Sequence, residues 1–176
     1  MDVFDIKYAL EHITCIVDSR EQDTIAFRRR IKAIGYPIVR EKLDFGDYSA
    51  KCTLENGTEI SMKDNFSVER KMSLDEICAC YGKERSRFTM EFERAKVKNA
   101  KLYLLIENGT WEKAYAGDYR SRMSPASFTA SLTAWLARYN CQLIFCEPRT
   151  TPKLIHDILY RETKEYLEHM EDTHDA

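Results

Sequence analysis

Two carboxylates and one amine stand out by type and spacing. Asp47 follows a glycine at the end of the apolar stretch Leu43-Asp44-Phe45-Gly46, and Glu69 closes the strand-like run Asn65-Phe66-Ser67-Val68 with Lys71 two positions on. Strand side chains repeat with period two, so Glu69 and Lys71 project to one face. Two carboxylates meeting at neighbouring strand ends make a hard-oxygen site suited to Mg²⁺ or Mn²⁺. Such a cation activates water and neutralises charge, and an ammonium group beside it steadies the attacking or developing anion. That is a minimal kit for cutting a phosphodiester.

The segments around these residues read as alternating strands and helices. Thr14-Cys15-Ile16-Val17 is a short apolar run ending in Asp18 and predicts a buried strand. Residues 21–34 predict a helix with Ile25, Phe27, Ile31 and Ile34 inward and Gly35 as its stop. Residues 36–43 predict a second strand, and residues 48–53 and 58–62 a hairpin about Glu55-Asn56-Gly57. After the motif strand, 66–71, Ser73 and Glu76 form a capping-box pattern that opens a helix running toward Asn99, broken near Gly82. A strand at 101–106, a helix opened by Ser124-Pro125 and running to Tyr139, a strand at 141–146 and a terminal helix from Pro152 complete the pattern. Such alternation predicts one α/β domain, residues 1–176, with a core over about 13–147 and a C-terminal helix over about 152–170.

Composition narrows the function class. No apolar run reaches membrane-spanning length and the first residues carry no basic signal region, so the expectation is a cytoplasmic protein, nuclear if eukaryotic. The six cysteines lack zinc or redox spacing and read as reduced, packed thiols. The four histidines lie outside the acidic constellation and read as surface residues. A net charge of −2 excludes a generally basic surface, yet Arg28-Arg29-Arg30-x-Lys32 and Lys83-x-Arg85-x-Arg87 concentrate positive charge. Local patches of this kind neutralise backbone phosphates even in an acidic chain; the Arg28 cluster is equally readable as a solvated helix face, whereas DNA contact is the expectation for Lys83, Arg85 and Arg87.

At these residues the chain resembles the XPF/Mus family of structure-selective DNA endonucleases. Gly46-Asp47-Tyr48 and Glu69-Arg70-Lys71-x-x-x-Asp75 carry the likeness, supported by Ile16-Val17-Asp18-Ser19-Arg20-Glu21, Arg87-Phe88 and Leu104-Leu105-Ile106-Glu107 in the family's order. The resemblance spans about 13–147 and implies a restriction-endonuclease-like fold, a central mixed β-sheet flanked by helices. It implies a metal-dependent endodeoxyribonuclease cutting branched, flap or duplex/single-strand junction DNA in repair or recombination. The alternatives are a non-catalytic DNA-binding partner subunit, or a restriction- or recombination-type nuclease on the same fold.

The resemblance also assigns roles. Asp18, Glu21, Asp47 and Glu69 would surround Mg²⁺ (or Mn²⁺), because clustered carboxylates repel unless a cation sits among them. Lys71 would orient and help deprotonate water or stabilise the pentacovalent phosphate, the alternative being a salt bridge to Asp47 or Glu69. Arg70 faces the other way, with its carbonyl toward the metal and its side chain serving structure. Asp75 would hold Lys71 or Arg70 in place. Arg20 and Arg87 match basic positions near the scissile phosphate, and Lys83 and Arg85 extend the DNA contact. Gly46 permits the corner before Asp47, Tyr48 packs beneath the site, and Trp111 and Trp135 pack.

Family enzymes commonly add helix-hairpin-helix modules, for which residues 147–176 leave no room, so a catalytic module without that substrate-selecting equipment is expected. The helices at 124–139 and 153–170 lie where the family dimerises, and an apolar surface including Ala126, Ala130, Ala134 and Ala137 predicts a homodimer or heterodimer unless the terminal helix covers it.

Overall fold

The computed structural model describes residues 3–170. Among these, seven strands form one mixed sheet: β1 (Ile13–Asp18), β2 (Ile38–Glu41), β3 (Tyr48–Thr53), β4 (Glu59–Ser61), β5 (Phe66–Lys71), β6 (Lys101–Glu107) and β7 (Cys141–Cys146). Their order is β2-β1-β3-β5-β6-β7, with β4 paired to β3. The β1–β2, β5–β6 and β6–β7 pairs are parallel, whereas β3 is antiparallel to β1, β4 and β5. The helices are α1 (Val3–Glu11), α2 (Ile25–Ile34), α3 (Leu74–Tyr81), α4 (Arg85–Val97), α5 (Trp111–Ala116), α6 (Pro125–Arg138) and α7 (Thr151–Glu168).

Period-two alternation sorts the core into two layers. On β6, Leu102, Leu104 and Ile106 join the cluster under α3, α4 and α6, while Tyr103 and Leu105 join the one under α1, α2 and α7. On β1, Cys15 and Val17 point to the α7 layer, as do Tyr48 and Ala50 on β3 and Phe66 and Val68 on β5. The intervening residues that end or begin these strands, Asp18, Asp47, Glu69 and Lys71, therefore project to the other face. Register brings them to one sheet edge: Val17 opposes Tyr48 and Tyr48 opposes Val68. The Asp18 N–H donates to the Asp47 carbonyl and the Asp47 N–H to that of Val68, both at 2.8 Å.

Several elements differ from expectation for local reasons. The first long helix starts at Ile25 because Thr24 caps it, accepting from the Phe27 N–H, which leaves Glu21 in the preceding turn and Ile25 69% exposed. The second strand is confined to Ile38–Glu41. Helices α1 and α5 are additions. Ser73 caps α3 by accepting from the Glu76 N–H, but the Glu76 carboxylate reaches back to Met72 N–H at 2.7 Å instead of closing on the cap residue. The expected break at Gly82 separates α3 from α4.

Helix α7 packs against α1, α2 and β3, with Ile155, Leu159 and Leu167 buried. Its apolar stripe is consumed within the chain, which corrects the expectation that it serves association. It also lies across the sheet from α6, so it does not cover Ala126, Ala130, Ala134 and Ala137, all exposed. Trp135 is buried and Trp111 packs edge-on against Phe145. All six cysteines are unpaired, four of them buried. Three histidines lie among the described residues, and His156 departs from the surface reading: it is half-buried, stacked on Tyr36, with Nδ1 2.8 Å from the Ile34 carbonyl. His174 lies outside the described residues. Among the described residues no helix is long and apolar enough to cross a membrane.

Candidate active site

A cleft of about 520 Å³ opens at this sheet edge, between α2 on one layer and α4 on the other. Asp18, Arg20, Glu21, Asp47, Glu69, Arg70, Lys71 and Arg87 all line it. The Gly46 corner that delivers Asp47 needs glycine: its φ is +73°, and a Cβ there would lie 2.3 Å from Ser67 Oγ. The Asp47 carboxylate accepts the Arg70 N–H at 2.8 Å, which ties β3 to β5 through the side chain as well as the backbone.

The electrostatics are those of a crowded acidic site with one amine in it. Burial, followed by the charges of Glu69 and Glu21, raises the Asp47 carboxyl well above the usual range. Lys71 Nζ sits 2.6 Å from Glu69 Oε1, the salt-bridge alternative in geometric form, and 5.4 Å from the centre of the Phe88 ring. Burial alone would lower the Lys71 pKa, but the charges of Glu69 and Asp47 outweigh it and hold the amine protonated. An ammonium group held beside two carboxylates can stabilise negative charge that develops on a phosphate.

The other two predicted metal carboxylates are engaged elsewhere. Asp18 is 2% exposed and accepts from the Arg20 N–H, Arg20 Nε and Arg20 Nη2 and from the Leu43 N–H. Burial would raise its pKa, but the Arg20 and Leu43 hydrogen bonds lower it. Glu21 Oε2 pairs with Arg30 Nη2 at 3.1 Å, and Arg30 Nε donates to the Tyr48 hydroxyl at 2.7 Å. Tyr48 is fully buried beneath the site. Among the described residues no group of three or more histidine, cysteine, aspartate or glutamate side chains is arranged to hold a metal ion. The donors that suit one are Asp47 and Glu69, two carboxylates whose mutual repulsion a cation would relieve.

The remaining assignments divide. Arg70 lines the cleft, but its guanidinium turns to the other side of the sheet, where it makes a two-pronged pair with Glu107 at 2.8 and 2.6 Å, and Thr151 Oγ1 donates to the same carboxylate at 2.7 Å. Asp75 does not reach Lys71 or Arg70. It accepts from the backbone N–H groups of Arg120 and Ser121 at 2.7 and 2.8 Å, because it lies on the side of α3 that faces the 117–124 loop. Arg87 lines the cleft while pairing with Glu84 at 2.5 Å. Lys83 and Arg85 are exposed and do not line it, and the Arg85 guanidinium stands 5.9 Å from the centre of the Trp135 ring.

Three residues not counted among the site residues by the sequence reading belong to this region. Glu91 lines the cleft 3.5 Å from Arg20, its carboxyl raised by burial and by the Glu69 charge. Its spacing of four from Arg87 places both on one helix face, a signal present in the sequence. Arg30 and Glu107 act through contacts distant in sequence, which no local pattern announces.

Comparison with known proteins agrees with this geometry. Residues 17–156 match the family described as ERCC4 domain. XPF from Aeropyrum pernix superposes with a TM-score of 0.59 at 20% identity, covering 85% of this chain and 61% of the other. XPF from Aeropyrum pernix in complex with DNA superposes with a TM-score of 0.60 at 19% identity, covering 86% and 66%. The chain thus spans about three fifths to two thirds of the length of those XPF chains. No curated protein sequence matches it. The restriction-endonuclease-like sheet carries its acidic residues at one edge, and the chain belongs to the ERCC4 domain family.

Proposed function

We propose that this domain is a divalent-metal-dependent DNA endonuclease that hydrolyses one strand near a junction between duplex and single strand. The observation that carries the reading is the convergence of Asp47, Glu69 and Lys71 at one sheet edge, in a cleft that also holds Arg20 and Arg87. The XPF relative solved with DNA supports the choice of substrate.

Asp47 and Glu69 would hold Mg²⁺ or Mn²⁺, with the Arg70 carbonyl beside them. The cation would supply Lewis acidity and a more acidic bound water. Lys71, kept protonated, stabilises the negative charge that builds on the phosphate during attack. The Arg70–Glu107–Thr151 contacts fix the end of β5 from behind, so that Glu69 and Lys71 keep their aim. Arg20 and Arg87 face the incoming phosphates, and Asp18 and Glu91 hold Arg20 in place. A second subunit across the exposed alanine surface of α6 completes the proposed assembly.

The test is a panel of flap, splayed-arm, nicked and linear duplex DNA incubated side by side with Mg²⁺. Preferred single-strand cleavage of the flap and splayed-arm substrates supports the reading. Equal cutting of linear duplex would favour a restriction-type nuclease, and binding without cutting would make the domain a non-catalytic partner.

A further inference from the structure

Asp75 closes the motif that begins at Glu69, yet it touches neither Lys71 nor Arg70. Its carboxylate instead receives the Arg120 and Ser121 N–H groups at 2.7 and 2.8 Å and Arg120 Nε at 3.3 Å. Two backbone N–H groups converging on one carboxylate fix the path of a loop. That loop, residues 117–124, is also closed on itself. The Tyr119 hydroxyl donates to the Met123 carbonyl at 3.0 Å, and the Met123 N–H donates to Ser121 Oγ at 3.3 Å. The Tyr119 ring packs edge-on against buried Phe128. A loop ordered in this way presents two arginines outward. The Arg120 side chain is 93% exposed, and Arg122 is exposed with no hydrogen bond or ion pair among the described residues.

The position of this loop gives it meaning. Asp75 is adjacent in sequence to Glu76, which lines the cleft and approaches Lys71 Nζ to 3.9 Å. Asn108 Nδ2 donates to the Met72 carbonyl at 3.2 Å, so the connection that leads from β6 toward the loop is pinned to the end of the Glu-Arg-Lys strand. The two arginines therefore stand on a loop tied to α3, the helix that also brings Glu76 to within 3.9 Å of Lys71. This face is separate from that of Arg87 and Glu91, which come from α4. Exposed guanidinium groups on a fixed backbone suit phosphate oxygens, which they engage in a planar, two-pronged fashion.

We infer that the 117–124 loop, held on α3 by Asp75, is a second DNA-backbone contact, with Arg120 and Arg122 binding phosphates of the arm that leaves the cleft past Lys71. Asp75 is then a positioning residue for substrate grip. The inference rests on the proposed nuclease function, and the test separates the two.

The experiment measures binding of a fluorescently labelled splayed-arm duplex, in chelator, as a function of salt, for the wild type, Arg120→Ala/Arg122→Ala, Arg120→Lys/Arg122→Lys and Asp75→Ala. Each phosphate contact contributes about 0.9 to the slope of log K against log salt for duplex DNA. The double alanine variant should lose about two from that slope, and the double lysine variant should retain it. Asp75→Ala should fall between them while keeping the wild-type circular dichroism spectrum. In Mg²⁺ the double alanine variant should raise KM more than it lowers kcat, which a merely structural defect would not produce. A wild-type slope in the folded double alanine variant, beside a wild type that binds and cuts, would overturn the loop contact and leave the nuclease reading standing. A wild type that binds no DNA would overturn both.

Discussion

Asp47 and Lys71 carry opposite electrostatic positions, and each predicts a measurable effect. The folded state keeps a proton on Asp47 to higher pH than the unfolded chain does, since burial and the Glu69 and Glu21 charges raise its pKa. Without a divalent cation the fold should therefore lose stability as pH rises from the ordinary carboxylate range toward that raised value. Asp47→Asn should remove this loss and raise the melting temperature of the metal-free protein at pH 7, while abolishing cleavage. Thermal melts across pH check the first part, and an unchanged profile in the variant would reject the repulsion. Lys71→Ala should cost ~10²-fold or more in rate with the fold retained, as for loss of a positioned electrostatic group. Near wild-type turnover would reduce Lys71 to a partner of Glu69. Gly46→Ala forces a side chain against Ser67 at a positive φ and should lose activity through misplacement of Asp47, a displacement that a crystal structure of the variant would show.

At the scale of elements, the strand pattern was readable because alternation and punctuation agree. β1, β3, β5, β6 and β7 lie where their apolar runs placed them, and the Asn56-Gly57 turn joins β3 to β4. Helix α5 escaped because its six residues are too few to show a period. The side-chain partners were legible only where they lie close in sequence. The facing of Arg70 followed from period two, but its pairing with Glu107 depends on the parallel β5–β6 register and that of Thr151 on the start of α7. Glu107 should thus join strand to helix energetically. Burial would raise its pKa, but Arg70 and Thr151 lower it, so its stabilisation is present above the ordinary carboxylate range and is lost as pH falls through the lowered value. Glu107→Gln should cost roughly 3 kcal/mol at neutral pH by leaving the Arg70 charge without its partner. A denaturant melt within 1 kcal/mol of wild type would show the pair to be dispensable.

For the molecule as a whole, the sheet divides the labour: α1, α2 and α7 form one layer, α3, α4 and α6 the other, and the cleft opens where their helices part at the strand ends. The helices expected to associate are on opposite layers, and of these two α6 carries the exposed alanine surface. Charging Leu159 would break the core, since that side chain is buried, whereas Ala130→Glu alters the exposed face alone. The proposed dimer predicts that Ala130→Glu sediments as a monomer while wild type does not, and a monomeric wild type at micromolar concentration would reject it. The central claim, that Asp47 and Glu69 make this sheet edge a metal-dependent phosphodiesterase, is tested most directly by single-strand cleavage of a splayed-arm duplex with the purified domain. Cutting is expected in Mg²⁺ or Mn²⁺, abolished by chelator and absent from Asp47→Asn, which should still bind DNA. Cleavage undiminished in chelator, or retained by Asp47→Asn, would contradict it.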